Sequence, residues 1–309
     1  MTGSTAPTPT AATATGAQPG TPASAAPGTA RGHGPGERAP AAEQARFRDL
    51  VAAEWIKLWS LRSTAWVLAL SGLAVIATNL NAANADSHNW PGYNADIRAH
   101  FVPVWALRDA FTNVSATILI LACAGLGGIA IAGEYSTGLI RTTFTAVPAR
   151  RSVVAAKVAV LTPVFTLFGT AVAFASFFGS QAILSRRHIG VAFGDPATVR
   201  VVAASALLAP VAALAGFGIG AVVRHSAATM VVSVLVLLLL HTLFSEKHRW
   251  TADIEHALPF PAWDRLTSVD GWHPPGLYGA TLAGSWTVLA LWPLVAVVTA
   301  VLVVGRRDL

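Results

Sequence analysis

Six apolar runs constrain this chain more than any other feature. They cover residues 63–81, 111–133, 153–178, 201–223, 226–244 and 282–305. A membrane-crossing helix needs about 20 predominantly apolar residues, and each run comes near that length. The apolar residues are continuous rather than alternating, which excludes a membrane β-barrel. In lipid the remaining way to satisfy every backbone N–H and C=O is the α-helix. Composition agrees: 54% of the 309 residues are hydrophobic and only 12% charged, about half the charged share of a soluble domain. The fold class expected is an all-α membrane protein with six transmembrane helices. The first span is the weakest, because it holds Ser71, Thr78 and Asn79. Pro163, Pro210 and Pro293 fall inside spans, where neighbouring helices or water can satisfy the freed carbonyls.

Three regions follow along the chain. Residues 1–42 are an Ala/Thr/Pro/Gly-rich tail. It has too little apolar bulk to repay the entropy of folding and is expected to be disordered. It also lacks the basic start and apolar core of a secretory signal. Residues 43–62 read as an amphipathic helix, with Phe47, Leu50, Val51, Trp55, Leu58 and Trp59 on one side and Arg46, Asp49, Lys57 and Ser60 on another. A helix rich in Trp and basic residues just before a span suits the lipid interface. Residues 63–309 form the six-span domain, in which only Arg224-His225 separates spans four and five.

Orientation follows from the basic residues. With both termini cytoplasmic, most of the 21 Lys and Arg face inward and most of the 15 Asp and Glu face outward. The pair Arg186-Arg187 runs against this bias. The expected location is the cell membrane, multi-pass, with the lipid bilayer itself as a partner. The net charge of +6 sits at the ends of spans, and no basic helix or recognition motif accompanies it, so nucleic acid is not an expected partner. The loop 245–280 is dense in Trp and Pro, including Trp250, Pro259, Phe260, Pro261, Trp263, Trp272, Pro274, Pro275 and Tyr278. Such a loop is expected to dip into the interface.

The largest polar feature between spans is GEYSTGLIRTTFTAVPARRSVVAAKVAV, Gly133 to Val160. Ser136 or Thr137 can cap a short helix there. Leu139, Ile140 and Phe144 give it an apolar edge, and Pro148 ends it. The next helix starts near Arg150. A short helix held between two spans can transmit force from a docked protein; the same residues also suit a solvated connector carrying inward-facing charge.

This segment resembles the region after the second span of bacterial type-2 ABC-transporter permeases, particularly actinobacterial ones. The shared pattern is Glu134-Tyr135, Thr137-Gly138, Ile140-Arg141 and Pro148-Ala149-Arg150, followed by Ala156-Lys157 entering the third span. AEWIKLWSLRSTAW, Ala53 to Trp66, is similar to the family's leading helix, and Arg306-Arg307-Asp308-Leu309 to its terminus. The likeness runs from Glu43 to Leu309. It implies a short cytoplasmic coupling helix, with Glu134, Tyr135, Thr137, Gly138, Ile140, Arg141, Thr142, Arg150 and Arg151 in the ATPase-coupling segment. It also implies a cytosolic ABC ATP-binding subunit as partner, a homodimer or paired permease, and an exporter. The extended N-terminal tail departs from the family's usual pattern.

The residues themselves support that division of labour. A phosphate-cradling loop needs Gly-Lys before Ser or Thr, but Lys57, Lys157 and Lys247 follow Ile56, Ala156 and Glu246. No cofactor is expected to bind directly, and ATP would be used by the partner. Two loose glycine fingerprints, starting at Gly125 and Gly216, follow no strand and carry no nucleotide reading. Small residues let helices approach closely, so Gly128, Gly133, Gly216 and Gly220 are expected at helix or subunit contacts. His241, His248 and His256 match no common metal spacing. No nucleophile elbow or zinc-protease motif is present, so no catalytic or metal residue is expected. Lone Cys123 reads as a packing residue. Lys157 is expected to snorkel toward the near aqueous side. The alternatives are a multi-span anchor or sensor without transport and, further off, a membrane-embedded enzyme.

Overall fold

The structure is a computed structural model that describes residues 46–139, 149–269 and 278–306. Among the described residues it contains eleven α-helices in chain order: α1 Phe47–Ser60, α2 Arg62–Asn89, α3 Ala95–His100, α4 Ala106–Ala110, α5 Asn113–Ser136, α6 Arg150–Leu184, α7 Pro196–Val223, α8 Ser226–Val234, α9 Arg249–His256, α10 Pro259–Thr267 and α11 Leu282–Arg306. A wider turn over Leu235–Leu239 and a tighter one over Leu240–Leu243 prolong α8. No strand occurs among the described residues. Six helical segments among the described residues are long and apolar enough to cross a membrane: α2, α5, α6, α7, α8 with its extension, and α11. The chain is an all-α, multi-pass membrane protein. The tail before residue 46 and the segments 140–148 and 270–277 lie outside the described residues.

The bundle is built around α7, which packs on α5, α6 and α11. Small residues make this possible. A Cβ added at Gly216 would collide with the Ala124 carbonyl of α5, and one at Gly127 with the Ala213 carbonyl of α7. At Gly220 it would lie 2.7 Å from the Gly128 oxygen, and at Gly128 2.7 Å from the Thr229 methyl of α8. Gly133 is different: an added Cβ there would meet only Ile129 of its own helix, at 3.6 Å. Gly169 and Gly218, not singled out in the sequence, make backbone-close contacts with Ala206 and Ala296. Backbones in such contact gain dispersion energy along their whole length without needing a hydrophobic effect, which lipid does not supply.

The first span tolerates its polar residues because they are paired. Asn79 is fully buried. Its Nδ2 donates to Ser176 Oγ of α6 (3.1 Å), and its Oδ1 accepts from the backbone N and Oγ1 of Thr112, both at 3.1 Å. The amide thus joins three helices, and α2 continues for two turns beyond the apolar run. Helix ends follow local chemistry. Asp195 caps α7, accepting from Ala197 N at 2.7 Å, with Pro196 in the first turn where its missing N–H costs nothing. Arg224 takes a left-handed φ of 59° and separates α7 from α8.

At the end of the bundle away from Glu134, α9 and α10 fold back against it. Trp263 of α10 is 1% exposed and its Nε1 donates to Ser205 Oγ at 3.2 Å. Arg200 of α7 donates from Nε to the Leu266 carbonyl (3.1 Å) and from Nη2 to the Ser268 carbonyl (3.0 Å). Arg108 Nη1 meets Asp264 Oδ1 at 3.4 Å. The Trp/Pro-rich loop therefore divides: Pro259, Phe260 and Trp263 are buried, while Trp250 and Tyr278 are exposed. Trp272, Pro274 and Pro275 lie outside the described residues.

Candidate functional site

Four charged side chains meet where α1, α5 and α6 converge. Glu134 closes the last turns of α5, Lys157 stands two turns into α6, and Glu54 and Lys57 lie one turn apart on α1. Lys157 is only 4% exposed, and its three ammonium protons are all directed at acceptors. They point to Glu54 Oε2 (2.7 Å), Glu134 Oε1 (2.7 Å) and the Ala130 carbonyl (3.2 Å). Lys57 closes the ring from the solvent side, donating to Glu54 Oε1 at 2.8 Å and Glu134 Oε1 at 3.0 Å. Two carboxylates and two ammoniums cancel, which is the condition for burying them together. Burial pulls the Lys57 ammonium down, but the hydrogen bonds and charges of Glu54 and Glu134 outweigh it and hold Lys57 above its ordinary value.

Two sequence expectations change here. Lys157 does not snorkel: with three acceptors at hand, its head gains more by staying buried than by reaching water. Helix α1 docks through a carboxylate rather than a purely apolar face. Glu54 is buried, with Leu50, Val51 and Leu58 half-buried beside it. Phe47, Trp55 and Trp59 stay exposed. Glu54 was missed by the sequence reading. The available signal was its place on the Leu50/Val51/Leu58 stripe, a helical face on which a lone carboxylate needs a cationic partner.

The rest of the predicted segment sits around this ring. Arg224, from the turn between α7 and α8, lies over the Tyr135 ring at 4.8 Å from its centroid. Ser136 Oγ lies 3.3 Å from Ser226 Oγ of α8. The short helix expected beyond Ser136 and Thr137 falls mostly on residues 140–148, outside the described residues. Both hydroxyls donate back to the Gly133 carbonyl, at 3.0 and 2.8 Å, and so close α5. Gly138 then takes φ +75°, a left-handed turn that favours glycine and stops the helix. Leu139 is exposed just beyond it. Arg150 and Arg151 stand in the first turn of α6, half-buried and exposed respectively. Ile140, Arg141 and Thr142 lie outside the described residues.

The structure thus brings Glu134, Tyr135, Thr137 and Gly138 together with α1, α6 and the α7–α8 turn, and Gly128, Gly216 and Gly220 into the packing core one to three turns away. The ring fixes α1, α5 and α6 to one another where α5 ends. Compared with protein-family models and with curated proteins, the chain matches none.

Proposed function

We propose that this chain is the membrane-spanning permease subunit of an ATP-driven, type-2 ABC exporter. In this reading the Glu134 end faces the cytoplasm of a cell membrane. The segment 139–149 docks on a separate cytosolic ATP-binding subunit, and two permease units, alike or paired, complete the transporter. ATP binds and is hydrolysed on the partner; this chain holds no nucleotide.

The observation that carries the proposal is the buried ring of Glu54, Lys57, Glu134 and Lys157. A displacement applied to the segment after Gly138 reaches Glu134, and through Lys157 and Lys57 it reaches α6 and α1 together. Separating the ring would leave buried charges unpaired, at about 3–5 kcal/mol for a lost partner. The three helices therefore respond as one body rather than bending singly. The motif resemblance, the absence of Gly-Lys in the sequence and the inward bias of basic residues point the same way.

The test is reconstitution with the separate P-loop ATPase that this reading requires. Leu139→Asp with Arg141→Glu changes the proposed docking segment without touching the ring. The expected result is loss of ATPase co-purification and of permease-stimulated ATP hydrolysis, with the bundle still folded. Unchanged co-purification and unchanged stimulation would overturn the docking assignment.

A further inference from the structure

The arginine pair that runs against the charge bias sits on a distinctive piece of surface. Helix α6 ends at Leu184 and a single tight turn, Ser185–Arg187, follows it. Arg186, Arg187 and His188 are all exposed. Neither guanidinium has a carboxylate partner among the described residues. The one carboxylate of the following loop, Asp195, is committed to the first turn of α7. Two unneutralised guanidiniums carried on one exposed turn favour an anion there.

Below them α6 presents a continuous lipid-facing stripe. Leu167, Ala171, Phe174, Phe178 and Ala182 are exposed in helical succession and lead up to Arg186. The returning loop widens this stripe. His188 takes a left-handed φ of 58°, Ile189 is buried, and Phe193 folds back onto α6. Its ring lies 5.6 Å from Phe174, 5.7 Å from Phe177 and 5.8 Å from Phe178. Phe178 remains 52% exposed. The eight residues from Phe178 to Arg186 rise about 12 Å along the helix. An aromatic shelf therefore stands at acyl-chain depth beneath a headgroup-level cation pair.

We infer that Arg186, Arg187 and the Phe174/Phe178/Phe193 shelf form a binding site for an acidic phospholipid, with its phosphate on the guanidiniums and an acyl chain along the shelf. Charge complementarity fixes the class: a zwitterionic lipid would bring a third cation to a site that already holds two. The site explains how two arginines are kept at the end of the bundle opposite Glu134. Their charge is offset by bound lipid rather than by protein. The inference does not depend on an ATPase partner.

The test uses the full-length chain in neutral detergent. Dioleoyl phosphatidylglycerol and dioleoyl phosphatidylcholine are added separately, and the thermal midpoint and lipid retention in native mass spectrometry are read. The glycerol lipid is expected to raise the midpoint by about 4 °C more than the choline lipid, at saturating concentration. Arg186→Gln with Arg187→Gln should abolish that difference, and the charge-keeping pair Arg186→Lys with Arg187→Lys should retain most of it. Phe178→Ala with Phe193→Ala should lower retention of both lipids. Equal effects of the two lipids on the unaltered chain would overturn the site. So would a full difference persisting in the glutamine pair, or the same shift from inorganic phosphate alone.

Discussion

The two ends of the bundle hold their helices by different means. At the Glu134 end, charged side chains grip charged side chains: Lys157 joins Glu54 to Glu134, and Lys57 seals the ring. At the other end, beside the part-exposed Arg108–Asp264 pair, arginines grip mainly backbone: Arg200 holds the Leu266 and Ser268 carbonyls at the close of α10, and Arg265 donates to the Ala280 carbonyl at 2.8 Å. The contrast is energetic. A buried ring of full charges fails as a unit, because losing one member strands another. A clamp on carbonyls loses one hydrogen bond at a time, and a water can replace it. The Glu134 end is thus held as a block, while the contacts at the other end can be lost one at a time.

Substitutions can break or sharpen that contrast. The largest effect is expected from Lys157→Met, which leaves Glu54 and Glu134 facing each other with only the peripheral Lys57. The loss should be about 3–5 kcal/mol, near a 10 °C fall in thermal midpoint. Adding Glu54→Gln to it should recover most of the loss, since Glu134 and Lys57 remain as a balanced pair; melting the single and double variants side by side checks this. If instead the two losses simply add, the ring does not act as a unit.

Next in size is Arg200→Met at the opposite end. It frees two carbonyls at the end of α10 and should cost about 1–3 kcal/mol. The discriminating readout is local: hydrogen exchange should quicken in α9 and α10 and remain unchanged in α1. Arg224→Gln removes the cation over Tyr135 and is expected to cost about 0.5–1 kcal/mol by thermal melt.

The smallest effect belongs to Lys57→Met, because this side chain is 46% exposed and water screens its ion pairs. Its pH dependence is also defined. Lys57 is held above its ordinary value in the fold, so its contribution is fully present below the unfolded value and is lost only as pH rises past the raised one. The difference in midpoint between Lys57→Met and the unaltered chain should therefore be flat from about pH 6 to about pH 9. A difference that fades within that window would contradict the ring geometry.

Much of the fold was legible because lipid simplifies the problem. Long apolar runs with polar breaks leave the helix as the one economical solution, and the six spans follow. The glycines at 128, 216 and 220 were readable for the same reason: small residues in spans mark close backbones. Gly133 meets only Ile129 of its own helix, so of the two contacts expected for it, helix or subunit, this chain supplies no helix contact. The ring was only half legible. Glu134 and Lys157 stood out as charges beside apolar runs, but Glu54 sits in a helix whose aromatic residues drew attention to its opposite side. Its buried partner, Lys157, lies 103 positions away along the chain, a separation no local pattern encodes. The reading of Lys157 as snorkelling failed because snorkelling assumes that water is the nearest acceptor. Here two carboxylates and a carbonyl are nearer.

The central claim is that the Glu134 end lies on the ATP-containing side and is where force enters. Site-directed labelling tests this most directly, in a Cys123→Ala background with a membrane-impermeant maleimide on intact cells. Leu139→Cys reports the Glu134 end and Lys247→Cys the opposite one; both positions are exposed. The account predicts that position 247 labels in intact cells and that position 139 labels only after permeabilisation. Labelling of position 139 from outside, with 247 protected, would contradict it.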